Sequence, residues 1–94
     1  MTYKLGFHSA ALDEWRRLDK TVASQLQKKL SERLENPIVD SARVSGGADL
    51  YKIKLRTVGY RLVYQVQNQQ LIVLVLSVGK RDRNAAYKSA LFRL

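Results

Sequence analysis

The chain has 94 residues, 46% apolar and 27% charged, enough for one folded domain with a modest core and unlike a disordered tail. It carries no cysteine and a single histidine, His8, which excludes disulfides, thiolate metal sites and a two-histidine acid/base pair. The net charge of +9 is one-sided: residues 1–42 hold seven basic and six acidic side chains, residues 43–94 hold ten and two, a distribution that marks a surface for a polyanion such as nucleic acid.

Tyr3, Leu5 and Phe7 alternate with Thr2, Lys4 and Gly6 and predict a short first strand. Ser9 is placed to cap a helix whose inner stripe is Leu12, Trp15 and Leu18, with Asp13 and Glu14 near its positive end. His8 sits at the junction without a partner for catalysis and reads as structural. After the Asp19-Lys20 break, Thr21 caps a second helix in which Val22, Leu26, Leu30 and Leu34 recur every four residues. Asn36-Pro37 closes it, because the residue before a proline is pushed out of the α region. The short link predicts an antiparallel helical hairpin packed on a sheet. Lys28, Lys29 and Arg33 fall on its solvated side, interspersed with Glu32 and Glu35.

Residues 41–49 form a loop with Arg43 and the pair Gly46-Gly47. No Gly-Lys-Ser/Thr follows and no helix opens after it, so it is not a phosphate-binding loop. Over residues 51–66 apolar and basic side chains alternate on either side of Gly59, the pattern of a hairpin. A two-residue turn at Val58-Gly59 pairs Thr57 with Tyr60 and sets Arg56 opposite Arg61, Lys54 opposite Val63 and Lys52 opposite Gln65. Tyr51, Ile53, Leu55, Tyr60, Leu62, Tyr64 and Val66 then share the core face. Lys52, Lys54, Arg56 and Arg61 share the other. Charged strand positions are usually just solvated. Here no carboxylate occurs between Asp49 and Asp82 to offset the mutual repulsion, which favours an anion site.

A polar turn at residues 67–70 leads into residues 71–78, apolar almost throughout, which predicts a central strand covered on both faces. The apolar run 71–76 is far too short to span a bilayer, and no N-terminal stretch has the charged-then-apolar form of a secretory signal. With the missing cysteines, this fits a cytoplasmic protein. Gly79-Lys80-Arg81-Asp82-Arg83 follows, and residues 84–94 read as a short terminal helix with Tyr87, Ala90, Leu91 and Leu94 at helical spacing. Tyr87 is either ordinary packing or, so close to Arg81 and Arg83, a ring exposed beside the basic face. The expected fold is α+β: a single domain over residues 1–94, its mostly antiparallel four-stranded sheet packed against the N-terminal helical hairpin, with a short C-terminal helix.

Tyr51-Lys-Ile-Lys-Leu-Arg, Gly59-Tyr-Arg-Leu-Val-Tyr and Ser77-Val-Gly-Lys-Arg, with Tyr87 beyond, closely resemble the RelE branch of the RelE/ParE toxin superfamily. The likeness runs along essentially the whole chain, including the Trp15 helix and the Asn36-Pro37 helix end. It implies a small RelE-like fold and the toxin of a type II toxin–antitoxin module, a ribosome-dependent endoribonuclease that cleaves mRNA in the A site and arrests translation. ParE-like relatives share the fold but poison DNA gyrase and generally lack the RNase residues, which makes them the alternative. RelE-type enzymes use two lysines on the strand entering the hairpin, matched here by Lys52 and Lys54. The arginine after the hairpin Gly-Tyr is matched by Arg61, the arginine ending the last long strand by Arg81, and the tyrosine six residues on by Tyr87. These five are the expected catalytic set, with Arg43, Arg56, Lys80, Arg83 and Lys88 as further contacts to RNA or ribosome. Just before the loop glycine, where RelE proteins can carry a basic residue, this chain has Ser45, with Arg43 two residues earlier. The implied partners are a RelB-like antitoxin, the ribosome (30S A site and rRNA) with its message, and operator DNA bound as the antitoxin complex. No membrane, metal or cofactor is implied.

RNA brings its own nucleophile, the 2′-hydroxyl. Cleavage then needs a base, cations around the pentacoordinate phosphorane and an acid for the 5′-oxygen; a metal is not obligatory. Crowding of Lys52 and Lys54 beside Arg56 and Arg61 favours a neutral amine on one lysine, which suits it to act as the base. Arg61 stays charged and suits the scissile phosphate. On the family reading Arg81 is the leaving-group acid; its physical rival is a purely electrostatic role, because guanidinium releases a proton reluctantly. Tyr87 can stack on a base and hold the RNA splayed for in-line attack. No group in this set is naturally poised near neutral pH, so positioning has to supply much of the acceleration, through effective molarities of roughly 10⁵–10⁸ M. Dependence on the ribosome follows, as does very slow cleavage of free RNA. A plain nucleic-acid-binding module would instead bind with steep salt dependence and cut nothing.

Overall fold

The apolar run late in the chain becomes β4 (Ile72–Lys80), an inner strand with buried side chains towards both faces. The structure, a computed structural model, describes residues 2–80 and 84–94. On one side β4 pairs in parallel with the short β1 (Lys4–Phe7), from Lys4 opposite Ile72 to Phe7 opposite Val75. On the other it pairs antiparallel with β3 (Tyr60–Gln67), which forms a hairpin with β2 (Leu50–Leu55). The order β1-β4-β3-β2 gives a mixed sheet, antiparallel except for β1.

Two helices, α1 (Ser9–Arg16) and α2 (Lys20–Glu35), cover one face. Ala11, Leu26 and Leu30 share a core there with Ile53, Leu62 and Val75, all fully buried, each large side chain contributing about 1.5–3 kcal/mol. Trp15 packs against this core and meets Phe7 edge-on at 5.5 Å. The inner side is therefore Ala11 and Trp15 of α1 with Leu18 just beyond its end, while Leu12 falls outside this core. Both caps lie earlier than expected. His8 caps α1, its Nδ1 accepting from the Ala10 amide at 3.1 Å, and Asp19 caps α2, its carboxylate accepting from the Thr21 amide at 3.2 Å. A carboxylate at the positive end of a helix adds charge–dipole attraction that a hydroxyl lacks.

The opposite face carries α3 (Ala85–Phe92), which closes a smaller core of Leu50, Val63, Leu76, Ala86 and Ala90. A β-bulge in β4 makes this two-sided burial possible. Val63 pairs with Ser77 but Tyr64 pairs with Val75, so Leu76 is an extra residue. Val73, Val75 and Val78 consequently join the larger core, while Leu74 and Leu76 join the smaller one.

The hairpin register differs from the expected one by two residues. Leu55 pairs with Tyr60 and Lys54 with Arg61, leaving residues 56–59 as a four-residue turn closed by the Gly59 amide on the Leu55 carbonyl at 2.8 Å. The favoured two-residue turns need a positive φ at the first central position, in type I′ at both, and β-branched Val58 resists it; within this turn only Gly59 adopts one, at 70°. A slip of two keeps every side chain on its face. Among the described residues, no helix is long and apolar enough to cross a membrane.

Candidate functional site

Period-two alternation turns Lys52 and Lys54 of β2 and Arg61 of β3 away from the helical hairpin, with Lys54 and Arg61 directly across the ladder. α3 lies along the same face and brings Tyr87 to them. The Tyr87 ring centre is 5.0 Å from the Arg61 guanidinium carbon and 6.0 Å from the Lys52 amine. Two cations share one ring, whose electron-rich face attracts both while they repel each other. Tyr87 is half-buried and packs against the smaller core, so it is a core residue on one side and a member of the cationic cluster on the other.

Asn84, which the sequence reading passed over, completes the cluster. It precedes α3 with φ at 60°, a left-handed conformation that asparagine tolerates, and makes no side-chain cap bond to the helix. Its Oδ1 instead accepts from the Arg61 guanidinium at 3.2 Å. An asparagine ahead of a helix signals a cap; nothing local signals that it turns to an arginine 23 residues away.

Two shallow depressions flank the cluster. One, of about 170 Å³, lies at the hairpin mouth between Lys54, Arg56, Tyr60 and Arg61. The other, of about 390 Å³, is bounded by Arg43, Ser45, Lys52, Asn84, Tyr87 and Lys88. Basic side chains predominate in both linings, and among the described residues no carboxylate lines either. Arg43 stands at the rim, 3.5 Å from the exposed Asp40 carboxylate and 5.2 Å from the Tyr51 ring. Arg56 is carried on the hairpin turn rather than opposite Arg61. Lys80 pairs with Tyr60 in the ladder and therefore points to the face opposite Arg61. Arg81 and Arg83 lie outside the described residues. Among the described residues, no three His, Asp or Glu side chains gather as metal ligands would.

The strand beneath Lys52 is braced from α2. Arg33, expected on the solvated side, falls one turn after Leu30 and reaches inward: its Nη1 donates to the Lys52 carbonyl at 3.1 Å and to the Tyr64 hydroxyl at 2.8 Å. Tyr64 in turn donates to the Pro37 carbonyl at 2.7 Å, tying the helix end to the sheet, and stacks on Tyr51 at 5.7 Å. Burial pushes the Tyr64 hydroxyl above the ordinary tyrosine range, against the opposing pull of the Arg33 hydrogen bond and charge. Across the sheet, the buried Ser77 hydroxyl donates to the Ala86 carbonyl at 2.6 Å and pins the first turn of α3.

The assembled face thus gathers two lysines, an arginine and an aromatic ring, a set whose charge suits an anionic ligand. Residues 5–85 match the family of the ParE toxin of type II toxin–antitoxin systems, parDE. The chain is 51% identical over all 94 residues to the mRNA interferase toxin RelE of Escherichia coli strain K12, spanning 99% of that protein, and to the same extent to the mRNA interferase RelE of Shigella flexneri. Among solved structures, the E. coli toxin RelE (R81A/R83A) mutant in the free state matches with a TM-score of 0.92 at 49% identity, over 100% of this chain and 99% of that one. RelE in the intact E. coli RelBE toxin–antitoxin complex matches at 0.83 and 53% identity, over 86% of this chain and 99% of that one.

Proposed function

Because the chain belongs to the ParE toxin family of type II toxin–antitoxin systems, we propose that it is a toxin of the RelE kind, an endoribonuclease that cuts mRNA in the ribosomal A site and so inhibits translation. One observation carries this reading beyond family membership: Lys52 and Arg61 from the hairpin and Tyr87 from the C-terminal helix converge on one face. A gyrase poison of the ParE kind has no use for that convergence, and the full-length relatives at 51% identity are mRNA interferases.

In the mechanism, the message lies across β2 and β3 with the scissile phosphate over Arg61. Lys52 or Lys54 takes the proton of the 2′-hydroxyl, whose oxygen attacks the adjacent phosphorus. Arg61 meets the charge that grows on the phosphorane oxygens, already oriented by Tyr87 and Asn84. The 5′-oxygen leaves with a proton from Arg81 or from water, giving a 2′,3′-cyclic phosphate and a 5′-hydroxyl. Tyr87 stacks on a flanking base and keeps the sugar in line. Arg43, Arg56, Lys88 and Arg83 widen the electrostatic footprint towards ribosomal RNA, with Lys80 reaching it from the other side of the hairpin.

The catalytic set supplies little acid/base power of its own, so the ribosome provides the orientation. A RelB-like antitoxin would neutralise the basic face in the cytoplasm and carry the pair to operator DNA; a RelE relative in complex with its antitoxin supports an antitoxin as the partner. The test is to incubate the purified chain with a labelled message, with and without programmed ribosomes, and map the cut ends. Ribosome-dependent cuts in the A site ending in a cyclic phosphate are expected. Folded protein that cuts nothing in either tube but inhibits gyrase supercoiling would overturn the reading.

A further inference from the structure

β1 ends opposite Val75, so beyond that point one edge of β4 has no strand partner. Two side chains take over. Glu14 of α1 accepts from the Val78 amide through Oε1 at 3.1 Å, and Arg93, just past α3, donates to the Leu76 carbonyl at 2.8 Å. The two are joined to each other by twin bonds of 2.8 and 3.1 Å. Their side chains are only 27% and 17% exposed, so the pair is partly shielded from solvent. It joins an N-terminal helix on one face of the sheet to the C-terminal helix on the other.

The far side of α3 is seated by the glycine pair of the preceding loop. A Cβ on Gly46 would stand 3.2 Å from both Leu91 methyl groups, and one on Gly47 would stand 2.8 Å from Leu94. Bare backbone there gives the last turn of α3 its bed, and the ion pair holds it down from the opposite edge. On its solvent side Tyr87 faces the two cations, Arg61 and Lys52. Its place depends on the helix that carries it.

We propose that Glu14 and Arg93 are a positioning pair for RNA cleavage: by fastening the last turn of α3 across the open edge of β4, they fix the Tyr87 ring over Arg61 and Lys52. The functional half of this inference rests on the RNA-cleavage reading of that face. Neither residue touches the RNA; both act through the helix.

The test uses Glu14→Gln, Arg93→Gln, the double variant and the conservative Arg93→Lys. Amide hydrogen exchange, which involves no RNA, is expected to speed up about tenfold or more in residues 85–92 of the glutamine variants while amides of β3 stay unchanged. On programmed ribosomes, kcat is expected to fall about tenfold with KM within about twofold, and Arg93→Lys to recover part of the loss. Adding either glutamine substitution to Tyr87→Ala is expected to cost nothing further. Unchanged exchange in α3 would overturn the proposal, as would a full additional loss on the Tyr87→Ala background, or a loosened helix with undiminished cleavage. Glu14→Gln keeps an acceptor for Val78, so it carries the same test if Arg93→Gln does not fold. Absence of cleavage by the unsubstituted chain would count against the function instead, and the exchange result would stand apart from it.

Discussion

Arg61 lies against Tyr87, its guanidinium carbon 5.0 Å from the ring centre. On the proposed reading the ring has two uses: it orients the arginine and stacks on a base of the message. Contacts of the first kind contribute about 0.5–1 kcal/mol at exposed sites, and stacking of the second kind about 1–3 kcal/mol per base.

Replacing Tyr87 by alanine removes both. Single-turnover cleavage on programmed ribosomes is expected to drop about 10- to 100-fold. Tyr87→Phe keeps the ring and gives up a hydroxyl that has no hydrogen-bond partner among the described residues, so its rate is expected within about threefold of the parent.

Asn84 separates side chain from backbone. Asn84→Gly retains the left-handed conformation and loses only the bond to Arg61, and is expected to slow cleavage about two- to fivefold with the melting temperature unchanged. Asn84→Ala adds a left-handed residue with no local polar compensation, at about 1 kcal/mol, and is expected to melt lower as well. Equal cleavage rates in Asn84→Gly and the parent would remove Asn84 from the site.

The raised pKa of Tyr64 gives stability an alkaline limit. Buried and bonded to Pro37, the hydroxyl keeps its proton in the folded chain to a higher pH than in the unfolded one. Below about pH 10 both states are protonated and the contribution is fully present. Above that the unfolded chain releases the proton first, holds fewer protons than the native state, and stability falls as pH rises. Tyr64→Phe is expected to melt lower at neutral pH, by an amount matching about 1–3 kcal/mol for the unsatisfied Pro37 carbonyl and Arg33, and to lose less on going from pH 9 to 11. Melting curves at the two pH values check both statements.

Gly47→Ala tests the bed of α3. The new Cβ would stand 2.6 Å from a Leu50 methyl and 2.8 Å from a Leu94 methyl. Leu94 is exposed and can move, whereas Leu50 is buried, so overpacking is expected to cost about 1–3 kcal/mol. Chemical denaturation is expected to show this in the midpoint. Truncating Leu94 relieves only its share, and full rescue by that truncation would contradict the account.

Sequence periodicity revealed the two faces of the hairpin because alternation survives a slip of two residues; the slip itself turned on whether Val58 accepts a positive φ, which periodicity does not see. β4 was legible as a central strand from its apolar run, but not its bulge, since an extra apolar residue in an apolar run leaves no trace. Arg33 looked like one of several helix cations, and its inward turn depends on Tyr64, 31 residues on. The glycine pair had no evident purpose because what it accommodates is the end of the chain. Of the five expected catalytic residues, Lys52, Lys54, Arg61 and Tyr87 share one face, while Arg81 is outside the described residues. Asn84 and Arg33 were missed for one reason: each acts through a partner that only the fold supplies.

Leu76 makes β4 count differently from the strand beside it. Before it, odd-numbered residues look towards the helical hairpin; after it, even-numbered ones do. Removing that single leucine would leave Tyr64 opposite Val75 and Val63 opposite Ser77 in an unbroken ladder, and the last four residues would keep their faces. What would go is the second of two consecutive side chains turned towards α3, and with it the apolar contact that Leu76 gives Leu50, Val63, Ala86 and Ala90. The bulge thus lets one strand set two neighbours, Leu76 and Ser77, against the same helix, where strict alternation would allow only one.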